Sequence, residues 1–361
     1  MNTMFYSSAP ARVCLYGEHQ DYLKQKVIPA AVNLRLYIRS KKTTKSKISI
    51  KSRDLNNEVT LPNNLTRLTS DIGSFESYLE AGMLAFKNFK HETSIAPIDV
   101  TIVSQIPIAS GLSSSAALLV AWIENLAGVA DVHLNEREVA EIAYDAEHNI
   151  LGIPCGKMDQ YASSFGKIIC LSTTEPPEVK QLNEPQVDLI VVDSKTPKFT
   201  SDVHGDKVQK IKTAVTKFEN LTKSNLSELS VDSLNQRKND LSVKDLKILK
   251  AVISIKENTL EAEHELSKQN MDYELLGDLL TKQQIQLREG IGVSLPILDK
   301  IVDESIALGA LGGKLTGAGL GGSVVIMSID NTQEIANSLR QKLKLPVKTV
   351  KIDEGSSLVV K

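Results

Sequence analysis

The chain has 361 residues, a formal net charge of −2 and three cysteines, which lack zinc-ligand spacing and are too few for a disulfide framework. A charge so close to zero argues against nucleic acid as a partner, and no apolar window approaches the ~18 residues of a membrane span. Because the N-terminus also lacks a signal peptide, we expect a cytoplasmic protein, and the length predicts two closely packed domains.

A cluster of polar residues follows the first predicted strand, 13–16. The sequence there is Gly-Glu-His-Gln-Asp-Tyr over 17–22. Carboxylates accept hydrogen bonds and imidazole can donate or accept, so Glu18, His19 and Asp21 suit a ligand with several hydroxyls. The alternative interpretation is a solvated surface turn, where polar residues are common. The next predicted elements are strands at 34–39 and 47–51 and a helix at 75–89.

A loop of small residues connects a predicted strand at 99–104 to a predicted helix at 112–126. Its sequence is Pro-Ile-Ala-Ser-Gly-Leu-Ser-Ser-Ser-Ala-Ala over 107–117. Free backbone N–H groups and the positive end of the helix dipole make such a loop a site for an anion, and phosphate is the anion we expect. An ordinary strand-to-helix turn with serine caps is the alternative.

The remaining predicted elements divide the chain into two parts. A helix over 136–149 begins with Asn135 as its N-cap, and Glu138 completes a capping box. Prolines and polar residues over 175–184 mark a connector, so we place the domains at 1–184 and 185–361. The second part is predicted to contain a strand at 187–193, a largely helical stretch over 206–308, strands at 323–328 and 347–351, and a helix at 335–343.

A glycine-rich segment precedes the strand predicted at 323–328. Its sequence is Lys-Leu-Thr-Gly-Ala-Gly-Leu-Gly-Gly-Ser over 314–323. Glycine lets the backbone approach a ligand or another segment of chain closely. Close packing without a ligand is the alternative, since a single glycine-rich loop is weak evidence of a site.

Together and in this order, the three segments resemble the signature of the GHMP kinases, the small-molecule kinase superfamily that includes galactokinase, homoserine kinase and mevalonate kinase. The turn at 17–22 is similar to the G-E-H-T-D-Y of galactokinases, with Gln20 in place of threonine, and 146–163 is similar to their A-E-x … C-G-I-M-D-Q-x-A-S. The resemblance covers about 10–327. It implies an α+β fold with a ribosomal protein S5 domain 2-like N-terminal domain and a ferredoxin-like α/β C-terminal domain.

The resemblance also implies which residues bind ATP and Mg²⁺. It assigns the ATP phosphates to Ser110, Gly111, Leu112, Ser113, Ser114, Ser115 and Ala116, and to Gly317 and Gly319. Ser115 and Glu147 match the magnesium ligands of the family. Mg²⁺ favours few protein oxygens together with phosphate and water, so one hydroxyl and one carboxylate are enough.

Catalytic and substrate-binding residues are implied in the same way. Asp159 matches the catalytic aspartate, which orients the attacking hydroxyl and accepts its proton late in the transfer, and Arg12 matches the arginine paired with it. The implied sugar-binding residues are Glu18, His19, Asp21 and Gly156. Such a site rejects a substrate without the matching hydroxyls, because a buried carboxylate is then left unpaired.

The activity that the resemblance implies is transfer of the γ-phosphoryl group of ATP to the anomeric hydroxyl of galactose or a related sugar, with no partner beyond small molecules. A mevalonate kinase and a non-catalytic sugar- and ATP-binding regulator are the alternatives. Asp21 and the twelve-residue step from Glu147 to Asp159 argue against the first. The presence of Arg12 and Ser115 beside those two carboxylates argues against the second.

Two departures from the galactokinase pattern leave the identity of the sugar open. No tyrosine occurs between Tyr161 and Tyr273, although galactokinases carry a sugar-contacting tyrosine in the segment that corresponds to 200–206. Lys157 replaces an apolar residue near the catalytic aspartate, and we expect its side chain to be solvated. The oligomeric state is also left open.

Overall fold

A computed structural model describes residues 3–90, 95–196 and 201–361, with the side chains of 201–204 excepted. Its strands are β1 (Met4–Tyr16), β2 (Lys26–Lys42), β3 (Lys47–Ser52), β4 (Asn57–Pro62), β5 (Ile98–Ser104), β6 (Ile169–Ser172), β7 (Glu178–Gln181), β8 (Asp188–Asp193), β9 (Gly312–Thr316), β10 (Ser323–Ser328), β11 (Val347–Val350) and β12 (Ser357–Val360). Its helices are α1 (Phe75–Phe89), α2 (Ser114–Ala130), α3 (Glu136–Tyr144), α4 (Met158–Phe165), α5 (Ser201–Thr222), α6 (Val231–Gln236), α7 (Val243–Leu266), α8 (Tyr273–Gln286), α9 (Pro296–Ala307) and α10 (Thr332–Leu343). This mixture confirms the predicted α+β class.

The first sheet is built around the long antiparallel pair β1 and β2. Its strands follow the order β12-β1-β2-β5-β3-β4, and β6 pairs with both β2 and β7. Helix α2 packs on it with an almost wholly apolar surface, which includes the fully buried Trp122. A helix that is apolar on nearly every side is stable only when it is covered on every side. Helix α2 is therefore the centre of the N-terminal core.

The second sheet is antiparallel, with the order β11-β8-β10-β9. Every residue of β9 and of β10 is buried, as expected for strands that are covered on both faces. Helices α7, α9 and α10 contribute to the core on this sheet, with residues that include Ile253, Leu298 and Leu339. Strand β9 lies at the edge of the sheet and contains the first three residues of the glycine-rich segment at 314–323.

Most helices and long strands lie where the sequence pattern predicts them. Helix α1 has the predicted bounds, and the capping box between Asn135 and Glu138 is confirmed at the start of α3. The helix predicted over 136–149 instead changes at Tyr144 into a π-helical turn, Asp145–Ile150, which contains Glu147. The sequence analysis missed the short strands β4, β6, β7, β9 and β12, because strands of four to six residues depend on their partners rather than on a local pattern.

The end of the chain returns to the first sheet. Strand β12 pairs with β1 in an antiparallel register that places Phe5 opposite Val360. The domain division at 184/185 stays a prediction, and the sheet pairing shows that the last strand belongs structurally with the first. Among the residues that the structure describes, none of the helices combines the length and the apolar character needed to cross a bilayer.

Candidate active site

An arginine and an aspartate that lie 147 residues apart form the centre of the site. The Arg12 Nε donates to Asp159 Oδ1 over 2.6 Å, and Nη2 donates to Oδ2 over 2.7 Å. This is the two-pronged geometry in which guanidinium and carboxylate match best. Strand β1 presents Arg12, and the first turn of α4 presents Asp159, where the helix dipole stabilises a negative charge.

The charge state of this pair follows from its surroundings. Burial by itself lowers the pKa of Arg12, but the charge and the hydrogen bonds of Asp159 raise it above its ordinary value. The third guanidinium nitrogen, Nη1, donates to the carbonyl of Gly111 over 2.6 Å. Arg12 is therefore a permanent cation that joins the carboxylate of α4 to the small-residue loop at 107–113.

The first backbone N–H groups of α2 are not capped by the side chain of the N-cap residue. Ser113 stands at the N-cap position in a left-handed conformation, but its hydroxyl makes no cap hydrogen bond. The hydroxyl donates instead to Asp159 Oδ2 over 2.6 Å. The simple serine-capped turn is therefore wrong for this residue. The phosphate interpretation of the loop stays a prediction that this geometry favours.

The loop at 107–113 and the glycine-rich segment at 314–323 touch each other through glycines. A Cβ on Gly111 would lie 2.7 Å from the carbonyl oxygen of Thr316, and a Cβ on Gly317 would lie 2.9 Å from that of Gly111. Both glycines also have a positive φ, which other residues rarely adopt. A Cβ on Gly319 would meet the Val293 carbonyl at 2.6 Å, so this glycine has a packing role whether or not it binds ATP.

A cavity beside the loop, which we call the loop cavity, has an apolar wall and a polar floor. The wall includes Leu36, Phe75, Tyr78, Ile102 and Ile106. The floor includes five of the predicted ATP-binding residues, Ser110, Gly111, Ser113, Ser114 and Ser115. Leu112 and Ala116 are instead buried in the protein, so only their backbone could face a ligand.

A second cavity, which we call the turn cavity, contains every predicted catalytic, sugar-binding and magnesium-binding residue. Its lining includes Arg12, Glu18, His19, Asp21, Ser115, Glu147, Gly156, Asp159 and Gly317. Arg12, Ser115 and Asp159 also line the loop cavity. The two cavities thus meet at the ion pair and at the start of α2. The polar turn at 17–22 is not a solvated surface turn, because Glu18 and His19 are buried.

Gly156 lies directly against one of the predicted sugar ligands. A Cβ at this position would lie 1.9 Å from Asp21 Oδ2, a distance that real atoms do not show. Because the φ of Gly156 is not positive, what the position requires is the missing side chain rather than a special backbone conformation. The resemblance implies that Gly156 is a sugar-binding residue, and glycine could bind a sugar only through its backbone. The structure adds that Gly156 leaves room for the Asp21 carboxylate.

Two carboxyl groups in the turn cavity hold their protons more tightly than usual. Burial, and next the charge of Asp159, raise the pKa of Asp21 to about 7. The same two causes, in the same order, raise the pKa of Glu147 to about 7. Gln160 Nε2 donates to Glu147 Oε2 over 2.7 Å and orients this carboxylate. Both carboxyl groups are therefore partly protonated near neutral pH.

The prediction that Lys157 is solvated is wrong. Its side chain is 11% exposed, and its Nζ lies 3.0 Å from Glu141 and 3.2 Å from Glu175. The ammonium group also lies 5.1 Å from the centre of the Tyr144 ring. Lys157 is drawn inward because these partners, on α3 and in the connector at 175–184, replace its hydration.

Several lining residues were missed because the sequence offers little to distinguish them. Tyr22 donates or accepts a hydrogen bond of 2.9 Å with His19 Nδ1, and Lys212 of α5 lies over the Tyr22 ring at 5.7 Å. Lys314 of β9 contacts Glu18, and its only sequence signal was a lysine within an otherwise uncharged segment. In the segment that lacks the family tyrosine, residue 200 and the side chains of 201–204 lie outside the described residues.

Three family models match the chain. The model for the GHMP kinases N terminal domain matches residues 77–167, and the model for the GHMP kinases C terminal matches 262–345. A galactokinase galactose-binding signature matches 2–42. These ranges contain the turn at 17–22, the loop at 107–117 and the glycine-rich segment at 314–323.

Whole-chain relatives agree with the models. The chain is 30% identical over 342 residues to a galactokinase of Thermosipho africanus (strain TCF52B), covering 92% of this chain and 91% of that protein. It is 28% identical over 366 residues to a galactokinase of Thermotoga neapolitana, covering 97% and 98%.

Solved structures share the fold over nearly the whole chain. Lactococcus lactis galactokinase complexed with galactose has a TM-score of 0.88 at 21% identity, covering 98% of this chain and 95% of that one. Methanococcus jannaschii mevalonate kinase has a TM-score of 0.74 at 22% identity, covering 97% and 98%. At these identities the likenesses show the two-domain fold and do not separate one substrate from another.

Proposed function

Since the chain belongs to the GHMP kinases, in their galactokinase branch, and is an ATP-dependent sugar kinase, we propose that its substrate is galactose and its product galactose 1-phosphate. The observation that carries this proposal is the position of the Arg12–Asp159 pair. It stands where the loop cavity, suited to a nucleotide, meets the turn cavity, suited to a polyhydroxyl ligand. A sugar hydroxyl and a phosphate group that enter from the two sides would meet at this pair.

The pair supplies what phosphoryl transfer to a hydroxyl needs. Asp159, held by Arg12 and Ser113, accepts a hydrogen bond from the attacking hydroxyl and orients its oxygen toward the phosphorus. The oxygen–phosphorus bond forms as the bond to the leaving ADP breaks, and the hydroxyl proton passes to the Asp159 carboxylate late in this process. The guanidinium of Arg12 stabilises the negative charge that develops on the attacking oxygen and the transferred group.

ATP is the phosphate donor, and we place it in the loop cavity. The apolar wall with Phe75 and Tyr78 suits a planar base, while the first backbone N–H groups of α2 suit phosphate oxygens. The contact between Gly111 and Gly317 supports a role for the second glycine-rich segment in covering these phosphates.

Mg²⁺ is proposed at Ser115 and Glu147. The residues fit this ion, because a hydroxyl and a buried carboxylate line the same cavity. No cluster of three metal-ligating side chains occurs in the described parts of the chain, so the ion would complete its coordination with nucleotide phosphates and water. When bound, Mg²⁺ neutralises phosphate charge. Glu147 and Ser115 hold it beside the start of α2.

The sugar is proposed in the turn cavity, against Glu18, His19, Asp21 and the backbone of Gly156. These groups present carboxylates and an imidazole to several hydroxyls at once, which suits a sugar better than mevalonate or homoserine. The absence of a tyrosine from the stretch of sequence at 200–206 makes galactosamine derivatives, uronic acids and arabinose the substrates against which galactose must be tested.

The test is release of ADP from Mg-ATP with a panel of acceptors: galactose, N-acetylgalactosamine, glucuronate, galacturonate, arabinose, mevalonate and homoserine. Strong turnover of galactose, abolished in an Asp159→Asn control, is the expected result. Turnover of another sugar alone would overturn the choice of galactose, and turnover of mevalonate alone would overturn the sugar assignment. Binding of sugar and ATP without ADP release would make the protein a regulator.

A further inference from the structure

Lys314 is the most deeply buried charged side chain at the site, and the chemistry derived above gives it no part. Its side chain has no exposed surface, and that of Glu18, its ion-pair partner, is 3% exposed. The residue lies on β9, three positions before Gly317, and 296 residues from Glu18 in sequence. An ammonium group is buried only at a large cost unless a counter-charge and hydrogen-bond acceptors replace its water.

Every proton of this ammonium group has an acceptor. Nζ donates to the carbonyl oxygen of Cys14 over 2.7 Å and to that of Leu315 over 2.9 Å. The third bond goes to Glu18 Oε2 over 3.0 Å. A lysine has three donors, so its bonding capacity is filled, and Glu18 supplies the only negative charge among the three acceptors.

These bonds hold the turn at 17–22 against the second sheet. The backbone N–H of Cys14 donates to Thr316 Oγ1 over 2.8 Å, so both backbone polar groups of Cys14 join β1 to β9. Strand β1 carries Arg12, and the chain reaches Glu18 two residues after its end. The ion pair therefore connects the proposed sugar contact with the strand that leads into the glycine-rich segment.

The neighbours of Glu18 explain why a cation is needed there. Glu18 also interacts electrostatically with Asp21, Arg12, Cys14 and Tyr22. Arg12 is already occupied by Asp159 and Gly111. Lys314 is therefore the cation that pairs with the buried Glu18 carboxylate.

We propose that Lys314 is a positioning residue for the sugar site, which holds Glu18 Oε2 so that Oε1 is left for a sugar hydroxyl. This inference rests on the proposed function, because it takes the turn cavity as the sugar site. It assigns Lys314 an effect on sugar binding through Glu18, and no contact with the nucleotide.

The experiment is steady-state kinetics of Lys314→Met with galactose, or with the sugar of the panel that the wild type phosphorylates. A sugar that loses its hydrogen bond to the Glu18 carboxylate is expected to have a KM at least about tenfold higher. The kcat and the KM for ATP are expected to stay within about threefold. Lys256→Met is the matched control, because Lys256 is also buried and also makes three hydrogen bonds, but all of them go to carbonyl oxygens, those of Leu226, Ser227 and Leu229.

A double variant distinguishes an effect on sugar binding from an effect of misfolding. Glu18→Gln with Lys314→Met removes both buried charges, so it is expected to melt at a higher temperature than Lys314→Met alone. Its KM for the sugar should equal that of Glu18→Gln, since Lys314 acts only through Glu18. Equal rises in the KM for sugar and for ATP, as expected of a merely structural lysine, or additive effects in the double variant, would overturn the inference. If the wild type uses no sugar of the panel, the proposed function fails first and this inference with it.

Discussion

Gly156→Ala tests the sugar site with the smallest possible change, one methyl group. The new Cβ would lie 1.9 Å from Asp21 Oδ2 and 2.3 Å from Asp21 Cγ. The backbone of Asp21 cannot easily retreat, because its carbonyl oxygen accepts a hydrogen bond of 2.8 Å from Thr173 Oγ1. The methyl group therefore forces the Asp21 carboxylate to rotate away from Gly156.

The size of the effect follows from that displacement. Ordinary van der Waals contact begins at 3.4 Å, so the carboxylate oxygen must move by roughly 1.5 Å. A hydrogen bond of about 2.7 Å to a sugar hydroxyl does not survive such a shift. A hydrogen bond to a charged group contributes about 1.5–3 kcal/mol, which corresponds to a rise of roughly 10- to 150-fold in the KM for the sugar.

The assay is ADP release at varied galactose and fixed saturating ATP. It is then repeated at varied ATP and fixed saturating galactose. The kcat should change much less than the KM for galactose, because Asp21 is proposed to hold the sugar equally in the ground state and the transition state. Gly205→Ala is the matched control, since a Cβ there meets no atom of the described residues within 4 Å and its φ is not positive. A KM for galactose within threefold of the wild type would refute the argument that Asp21 binds the sugar from this position.

Three further predictions concern the carboxylates of the turn cavity. Asp159→Asn should keep ATP binding, measured by calorimetry, and lower kcat by about 10²- to 10⁴-fold; turnover within tenfold of the wild type would exclude the proposed role. Glu147→Gln should raise the Mg²⁺ concentration needed for half-maximal turnover, and an unchanged requirement would move the magnesium site elsewhere. Because the pKa of Asp21 is about 7 in the folded protein and 3.8 ordinarily, the folded state binds the extra proton between these values and the wild type loses stability as the pH rises through that window. The Tm of Asp21→Asn relative to the wild type should therefore increase from about pH 4 to pH 7, and a constant difference would contradict the raised pKa.

Much of the local structure was predictable from the sequence because it depends on neighbours in the chain. Asn135 and Glu138 lie three residues apart, so the capping box that starts α3 is decided by those residues and their backbone. Helix α1 has its apolar residues at helical spacing and Ser74 at its N-cap, so its bounds needed no tertiary contact. The resemblance to a kinase family likewise indicated Arg12 and Asp159, and the structure brings this pair together.

Contacts between distant residues were decided only by the tertiary structure. Lys157 and Lys314 look like ordinary surface lysines in the sequence, yet one pairs with Glu141 and the other with Glu18, across 296 residues. Which carboxylate meets a lysine depends on how strands pair and helices pack, and no local pattern encodes that. The same holds for the pairing of β12 with β1.

The sequence by itself established the order of the three motif segments, and their resemblance to a kinase family indicated the fold class and the type of chemistry. Only the tertiary structure decided that Gly156 makes room for Asp21 and that Lys314 faces Glu18. The physical reason is that close approach and the pairing of buried charges are properties of three-dimensional packing, which brings together residues that are distant in sequence.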